Sequence, residues 1–241
     1  VKHVDEQFGR IYSRVKELGI LENTVVVFTT DHGIAMPRGK CSLFDPGVNT
    51  ALILRAPGAE SWQSGTVQRE LISNIDLLPS LLEILDLPVP DRVQGRSFVP
   101  LLEGEEYQEN EQIFTEMTYH TYYDPMRCIR TERYKLIAFF STAPVFMEPG
   151  QRRQPLSHPW YRPEEGGLGF HEDVMLFDLA EDPWEKEDLS ANEELDQIRK
   201  DLMGRLYEHM VETEDPLLSG AVPDPQYEST LAMLKNAGAK G

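Results

Sequence analysis

The stretch "NTVVVFTTDHGIAMPRGKC", residues 23 to 41, brings several chemically capable side chains to one point of the chain. The apolar run Val25–Phe28 stops at Thr29-Thr30, Asp31, His32 and Gly33 follow at once, and Lys40 comes seven residues after Gly33. An anionic oxygen beside an imidazole nitrogen is half of a divalent-metal shell, or half of an acid–base pair. Gly33 lets the chain turn sharply away. Lys40 can return to the same crevice as a point charge for an anionic substrate oxygen. Arg38 offers a second cation, either to that substrate or to solvent. The bland alternative makes Asp31 a turn cap and His32 an ordinary loop histidine.

A rigid frame must hold such a corner. Thr24–Phe28 and Ala51–Leu54 are β-branched and apolar without alternation, as expected of strands covered on both faces. In open α/β sheets, ligands bind beyond the carboxyl ends of the strands, where Asp31 and His32 fall. Val4, Phe8, Ile11, Val15 and Leu18 form one helical stripe, and Gly19 sits where a C-terminal cap belongs. Asp76 is the expected N-cap of a helix with Leu81, Leu82 and Leu85 inward. Strand, loop, strand and helix in this order predict an α/β core over residues 1–105. A smaller α+β subdomain with an antiparallel sheet is predicted over 106–241. Its strands are Ile113–Thr118, Cys128–Phe140 with a charged turn at Thr131–Arg133, and Val174–Leu179, and its helix covers 193–212 with Leu195, Ile198, Leu202, Leu206 and Met210 on one face. Residues 143–170 read as a long excursion, and the acidic runs 103–111 and 181–188 as solvated surface.

The 241 residues carry a formal charge of −18. That balance excludes nucleic acid or an anionic membrane as a main partner, since both need a basic surface. An anionic substrate must be drawn in by a local positive site. No apolar run is long enough to span a membrane. Two cysteines, Cys41 and Cys128, cannot make a disulfide framework. No signal peptide is visible, and because the helical pattern is already under way at Val1, the compartment stays open.

The phrases "IYSRVKELGILENTVVVFTTDHG", "RGKCSLFDPGVNTALILRAPG", "ISNIDLLPSLLEILDLPVP", "QGRSFVPLLEGE", "IRTERYKLI" and "LFDLAEDPWEKEDLS" occur in one order. Together they resemble the C-terminal half of the formylglycine-dependent sulfatases of the alkaline phosphatase superfamily, with the sulfamidase-like branch the most similar. The resemblance implies an alkaline-phosphatase-like sandwich core and hydrolysis of sulfate esters or sulfamates, with a sulfated carbohydrate as the substrate class. It implies that Asp31 and His32 hold a divalent metal and that Lys40 meets the sulfate. Calcium is the implied ion. Because calcium prefers oxygen ligands, the imidazole at position 32 keeps manganese open as an alternative. The family's formylglycine arises from a Cys/Ser-x-Pro/Ala-x-Arg motif, which neither Cys41-Ser42-Leu43-Phe44-Asp45 nor Cys128-Ile129-Arg130-Thr131-Glu132 provides. The nucleophile is therefore expected upstream, and these residues alone are expected to be inactive.

The tract "TEMTYHTYYDPMR" offers Glu116, His120, Asp124 and Arg127 near the mouth implied for the site, with His120 able to donate to a sugar hydroxyl or sulfate oxygen. A satisfied turn histidine is the plainer account of His120. His158, Trp160 and His171 could line a sugar subsite, and loop packing is their default. Two other functions fit the same residues: a phosphodiesterase or phosphonate monoester hydrolase of the superfamily, and a non-catalytic binding or structural role.

Overall fold

A computed structural model describes residues 1–35, 38–57, 62, 65–120, 123–142 and 172–238. His158, Trp160, His171 and the whole of the long excursion lie outside the described residues. The chain divides into two compact units, Val1–Asp31 with Thr50–Ile113 and His32–Asn49 with Phe114–Gly241.

In the first unit, α1 (Lys2–Glu17) ends at Gly19 with φ +70°. The left-handed backbone there is what a helix stop followed by glycine calls for. Phe8 packs edge-on against Phe28 of β1 (Val26–Thr29) at 5.5 Å between ring centres. β1 pairs antiparallel with β2 (Leu52–Arg55), Phe28 opposite Ile53. Covered faces were expected for both strands and for the α1 stripe. Instead Ile53 is 67% exposed, and Val4, Ile11 and Leu18 are exposed too. A two-stranded ribbon under one helix has no further layer among the described residues to bury them.

Asp76 is not the side-chain cap of α3 (Leu77–Ile84). It closes a capping box one turn earlier, accepting from the Ser73 amide at 2.8 Å, and also takes the Arg96 amide at 2.9 Å. The buried Ser80 hydroxyl accepts from the Phe98 amide at 3.0 Å, joining α3 to the residue before α4 (Val99–Glu103). Leu85, expected inward, is exposed because α3 has already ended.

The second unit is built on a four-stranded sheet in the order β3 (Ile113–Tyr119), β4 (Tyr123–Arg130), β5 (Tyr134–Phe139), β6 (Val174–Asp178). β4 and β5 meet antiparallel around the predicted turn, with Cys128 opposite Ile137, and β5 meets β6 with Lys135 opposite Phe177. Strand alternation then sorts the core. Ile129, Leu136 and Leu176 pack under Leu202 and Leu206 of α5 (Asp196–Glu212). Met126, Cys128, Ile137, Phe139 and Phe177 pack with Leu43 and Phe44. Phe44 immediately precedes the short α2 (Asp45–Val48). The segment carrying Lys40 is thus roofed onto the sheet of the second unit. The sequence pattern did not indicate α6 (Pro225–Gly238).

His209 on α5 stacks on Phe114, 3.7 Å between ring centres. Burial lowers its pKa below 6.5, only partly offset by Glu212, Glu116 and Asp215. The folded ring binds a proton less readily than the unfolded one, so stability is full above the unfolded pKa and falls as pH drops through that value. Between pH 7.5 and 5.5, thermal unfolding should shift down more in the parent protein than in His209→Phe, as read by calorimetry of the two proteins.

Candidate active site around the Asp-His-Gly turn

Asp31 lies two residues beyond β1, is exposed, and ends the first unit. His32 opens the second unit. Its Nδ1 lies 2.7 Å from the Gly33 carbonyl oxygen. A carbonyl can only accept, so Nδ1 carries the proton, and in the neutral ring the lone pair lies on Nε2. Metal-ligating histidines are oriented in this way, with one ring nitrogen donating to a carbonyl or carboxylate and the other turned to the ion.

The chain then closes on itself. Gly33 donates its amide to the Gly47 carbonyl at 2.8 Å, and Lys40 donates its amide to Ile34 at 2.9 Å. A Cβ on Gly33 would stand 1.7 Å from the Pro46 carbonyl oxygen, and one on Gly47 would stand 2.4 Å from that of Gly39. Both closures therefore require glycine. Ser42 Oγ lies 2.8 Å from both the Arg38 and Gly39 carbonyls, its single proton shared between them. Arg38 and Cys41 bracket Gly39-Lys40 with φ of 62° and 67°. For residues with a Cβ, that conformation costs about 1–2 kcal/mol each, so the surroundings must impose it.

The surroundings do so through buried charge. Lys135 is wholly buried, and its Nζ stands 2.8 Å from Asp45 Oδ1 and 2.8 Å from Glu185 Oε1. The Asp45 contact is also a hydrogen bond, and the Glu185 contact is an ion pair. Glu185 Oε2 accepts the Asp45 amide at 2.7 Å. Burial alone would favour the neutral amine. Cys128, Glu185 and Asp45 more than offset it, and the Lys135 pKa lies above its ordinary value. Arg38, 5% exposed, donates to the Trp184 carbonyl at 3.0 Å and the Glu185 carbonyl at 2.5 Å, with its guanidinium 3.9 Å over the Phe44 ring. Burial lowers its pKa to about 10, with Glu185 and Asp182 pulling the other way, so it stays charged near neutrality. Arg38 thus occupies a packed position next to the loop that offers Lys40.

The run 181–188 is solvated as expected at Glu181, Pro183, Trp184, Lys186 and Glu187, but not at Glu185. Glu185 is buried, Asp182 accepts the Trp184 and Glu187 amides at 3.3 and 2.9 Å, and Asp188 accepts the Leu176 amide at 2.9 Å. Lys135, Asp45 and Glu185 escaped the sequence reading. One signal was available: Lys135 shares a strand face with Ile137 and Phe139, where a charge needs a buried partner.

His120 is exposed just past β3. Its neighbourhood is tied down by Tyr119, which donates to the Val222 carbonyl at 2.8 Å, and by Tyr123, which accepts the Val222 amide at 3.1 Å. Arg127 and Asp124 are buried. Arg127 donates to Asp215 and to the Met117 carbonyl, and Asp124 accepts from Ser141 at 3.0 Å. Both belong to packing there.

Among the described residues no cluster of three or more His, Cys, Asp or Glu side chains is arranged to hold a metal. The tautomer of His32 is set by the Gly33 carbonyl.

Two family models match overlapping parts of the chain. One describes the C-terminal part of N-sulphoglucosamine sulphohydrolase, over residues 38–148, and the other the C-terminal region of aryl-sulfatase, over residues 110–225. The human N-sulphoglucosamine sulphohydrolase is 26% identical over 259 residues, covering 96% of this chain and 50% of that protein. A structure described as solved with its substrate D-glucosamine-2-N,6-O-disulfate matches with a TM-score of 0.68 at 22% identity, over 88% of this chain and 39% of that one. The phosphonate monoester hydrolase of Agrobacterium radiobacter matches with a TM-score of 0.63 at 25% identity, over 87% of this chain and 39% of that one. The fold is the alkaline-phosphatase-like one. Within that class the chain belongs to the sulfatases, as a C-terminal region of the family. It spans half or less of the length of these relatives.

Cys128 is fully buried, and burial pushes its thiol up to about 11, only partly countered by Lys135 and Thr115. At pH 8 the thiolate fraction is then about one in a thousand. Folded protein should leave Cys128 unlabelled by a disulfide reagent over the time in which urea-unfolded protein is fully labelled, with mass spectrometry of the peptide as the measure.

Proposed function

We propose that the protein is a sulfatase acting on sulfate esters or sulfamates of sugars, with its nucleophile in a segment upstream of these residues. The observation that carries this reading is the pair of sulfatase C-terminal matches, the first of which includes Lys40, with the Asp31-His32-Gly33 turn lying just before it. Hydrolysis breaks the sulfur bond to the sugar oxygen or nitrogen, delivers a water hydroxyl to sulfur and returns a proton to the leaving group. Asp31 and His32 would hold the divalent ion, calcium or manganese, which when bound draws electron density from a sulfate oxygen. Lys40 offsets the negative charge on the sulfate oxygens as it builds. His120 stands ready for a sugar hydroxyl. The glucosamine-based substrates of the matched proteins support a sulfated amino sugar as the class.

The relatives' greater length and the exposed apolar surfaces of α1 and β2 support an upstream half that completes the α/β core. A phosphonate monoester hydrolase is the second reading, favoured by the Agrobacterium radiobacter structure. Parallel kinetics of the full enzyme on aryl sulfate, glucosamine sulfates and an aryl phosphonate monoester decide between the two. Preference for the phosphonate by kcat/KM would replace the sulfatase reading.

Two substitutions test the residues. Lys40→Ala should lower kcat as well as kcat/KM by about 10²–10³-fold, the loss expected for one electrostatic donor. A surface lysine would leave both unchanged. Asp31→Asn should weaken divalent-metal affinity and activity together, and calorimetric titration showing unaltered affinity would remove Asp31 from the ligand set.

A further inference from the structure

We propose that Lys135, Glu185 and Arg38 are positioning residues for the reaction, clamping residues 38–45 to the sheet of the second unit and thereby setting where Lys40 stands. The inference rests on the sulfatase reading in which Lys40 meets the sulfate. Three observations carry it. Lys135 and Glu185 are both wholly buried, and they grip the roof segment twice, through the Asp45 carboxylate and the Asp45 amide. Arg38 reaches back across the same contact to the carbonyls of Trp184 and Glu185 while stacking on Phe44. The backbone on both sides of the clamp is left-handed without glycine, at Arg38, Cys41 and Glu185 with φ of 62°, 67° and 53°.

The three facts have one physical consequence. Left-handed backbone at residues with a Cβ reverts to ordinary conformations unless neighbours hold it, and its concentration at one contact marks a geometry that is imposed. The buried charges impose it. Asp45 can shift only by leaving an ammonium without one of its two carboxylates in an interior that excludes water. Lys40 sits two residues from Arg38 and five from Asp45, so it has little freedom to move while both ends are held. A misplacement on the order of 1 Å at a reacting group lowers turnover by roughly 10²-fold. The clamp is therefore worth more to turnover than to substrate capture.

The test is a double-substitution cycle in the full enzyme. Glu185→Gln, Lys135→Met and Arg38→Met are each made alone and on a Lys40→Ala background. Steady-state kinetics are measured on the best sulfate substrate, alongside unfolding temperature. The expected result is that each single change lowers kcat by about 10- to 100-fold with KM moving less than about twofold, and that the same change on the Lys40→Ala background lowers kcat by less than about twofold. Lys135→Arg, which keeps the charge, should recover part of kcat. Arg38→Met keeps an apolar stem over Phe44 and leaves the contacts of Lys135 with Asp45 and Glu185 in place, so it reads the clamp even if Lys135→Met does not fold. Effects that multiply with Lys40→Ala, or a lower unfolding temperature at unchanged kcat, would overturn the inference while leaving Lys40 in place. A rise in KM alone for Arg38→Met would overturn it for Arg38 in favour of direct substrate contact. An unchanged kcat for Lys40→Ala would instead remove the reading of Lys40 itself.

Discussion

An ammonium group with no access to water faces two carboxylates, and most of the second unit is arranged around that fact. Lys135 projects from the start of β5 between Asp45 and Glu185, which lie 140 residues apart in sequence. Removing one partner from such a group typically costs about 3–5 kcal/mol, because a charge is left behind uncompensated. The roof segment, the sheet and the 181–188 turn therefore hold their mutual positions together or lose them together. Phe44 and Phe177, edge-on at 5.9 Å, fill the space between these charges and the apolar core.

What this arrangement supports is the short segment 38–45, which the buried charges hold at both ends. Two glycines make the closures around it, at Gly33 and Gly47, and each carries a backbone oxygen where a side chain would begin. Between them the chain takes two left-handed steps around Lys40. His32 enters the loop with its ring already oriented by a carbonyl one residue away. Chemistry that needs a cation and an imidazole in fixed places is served by such stiffness, since little entropy remains to be lost when substrate binds.

Much of this was legible in the residues. The β4–β5 turn at Thr131–Arg133, the α5 stripe through Leu202, Leu206 and Met210, and the strand leading to Asp31-His32 all announce themselves by apolar period and punctuation. Other features depend on partners far along the chain. Glu185 sits in a run of acidic residues that looks solvated until Lys135 and Asp45 are brought to it. Arg38 looks like a loop cation until Trp184 and Glu185 present carbonyls to it. Ile53, Val4 and Ile11 err in the other direction, since their apolar character is plain in sequence while no layer covers it among the described residues. Asp76 is a case of local competition. Its carboxylate serves the Ser73 and Arg96 amides, and α3 begins without it.

The burial of the Lys135 cluster also separates two electrostatic regimes by their response to electrolyte. Exposed pairs such as Lys2–Glu6 and Arg205–Asp201 are weakened by ions in solution, whose screening length at 0.15 M is about 8 Å. No counter-ion reaches the ammonium of Lys135. With a formal charge of −18, these residues repel an approaching sulfate at long range, and added salt relieves that repulsion. Ionic strength thus acts on the approach of any anion and leaves the contacts of Lys135 unaltered.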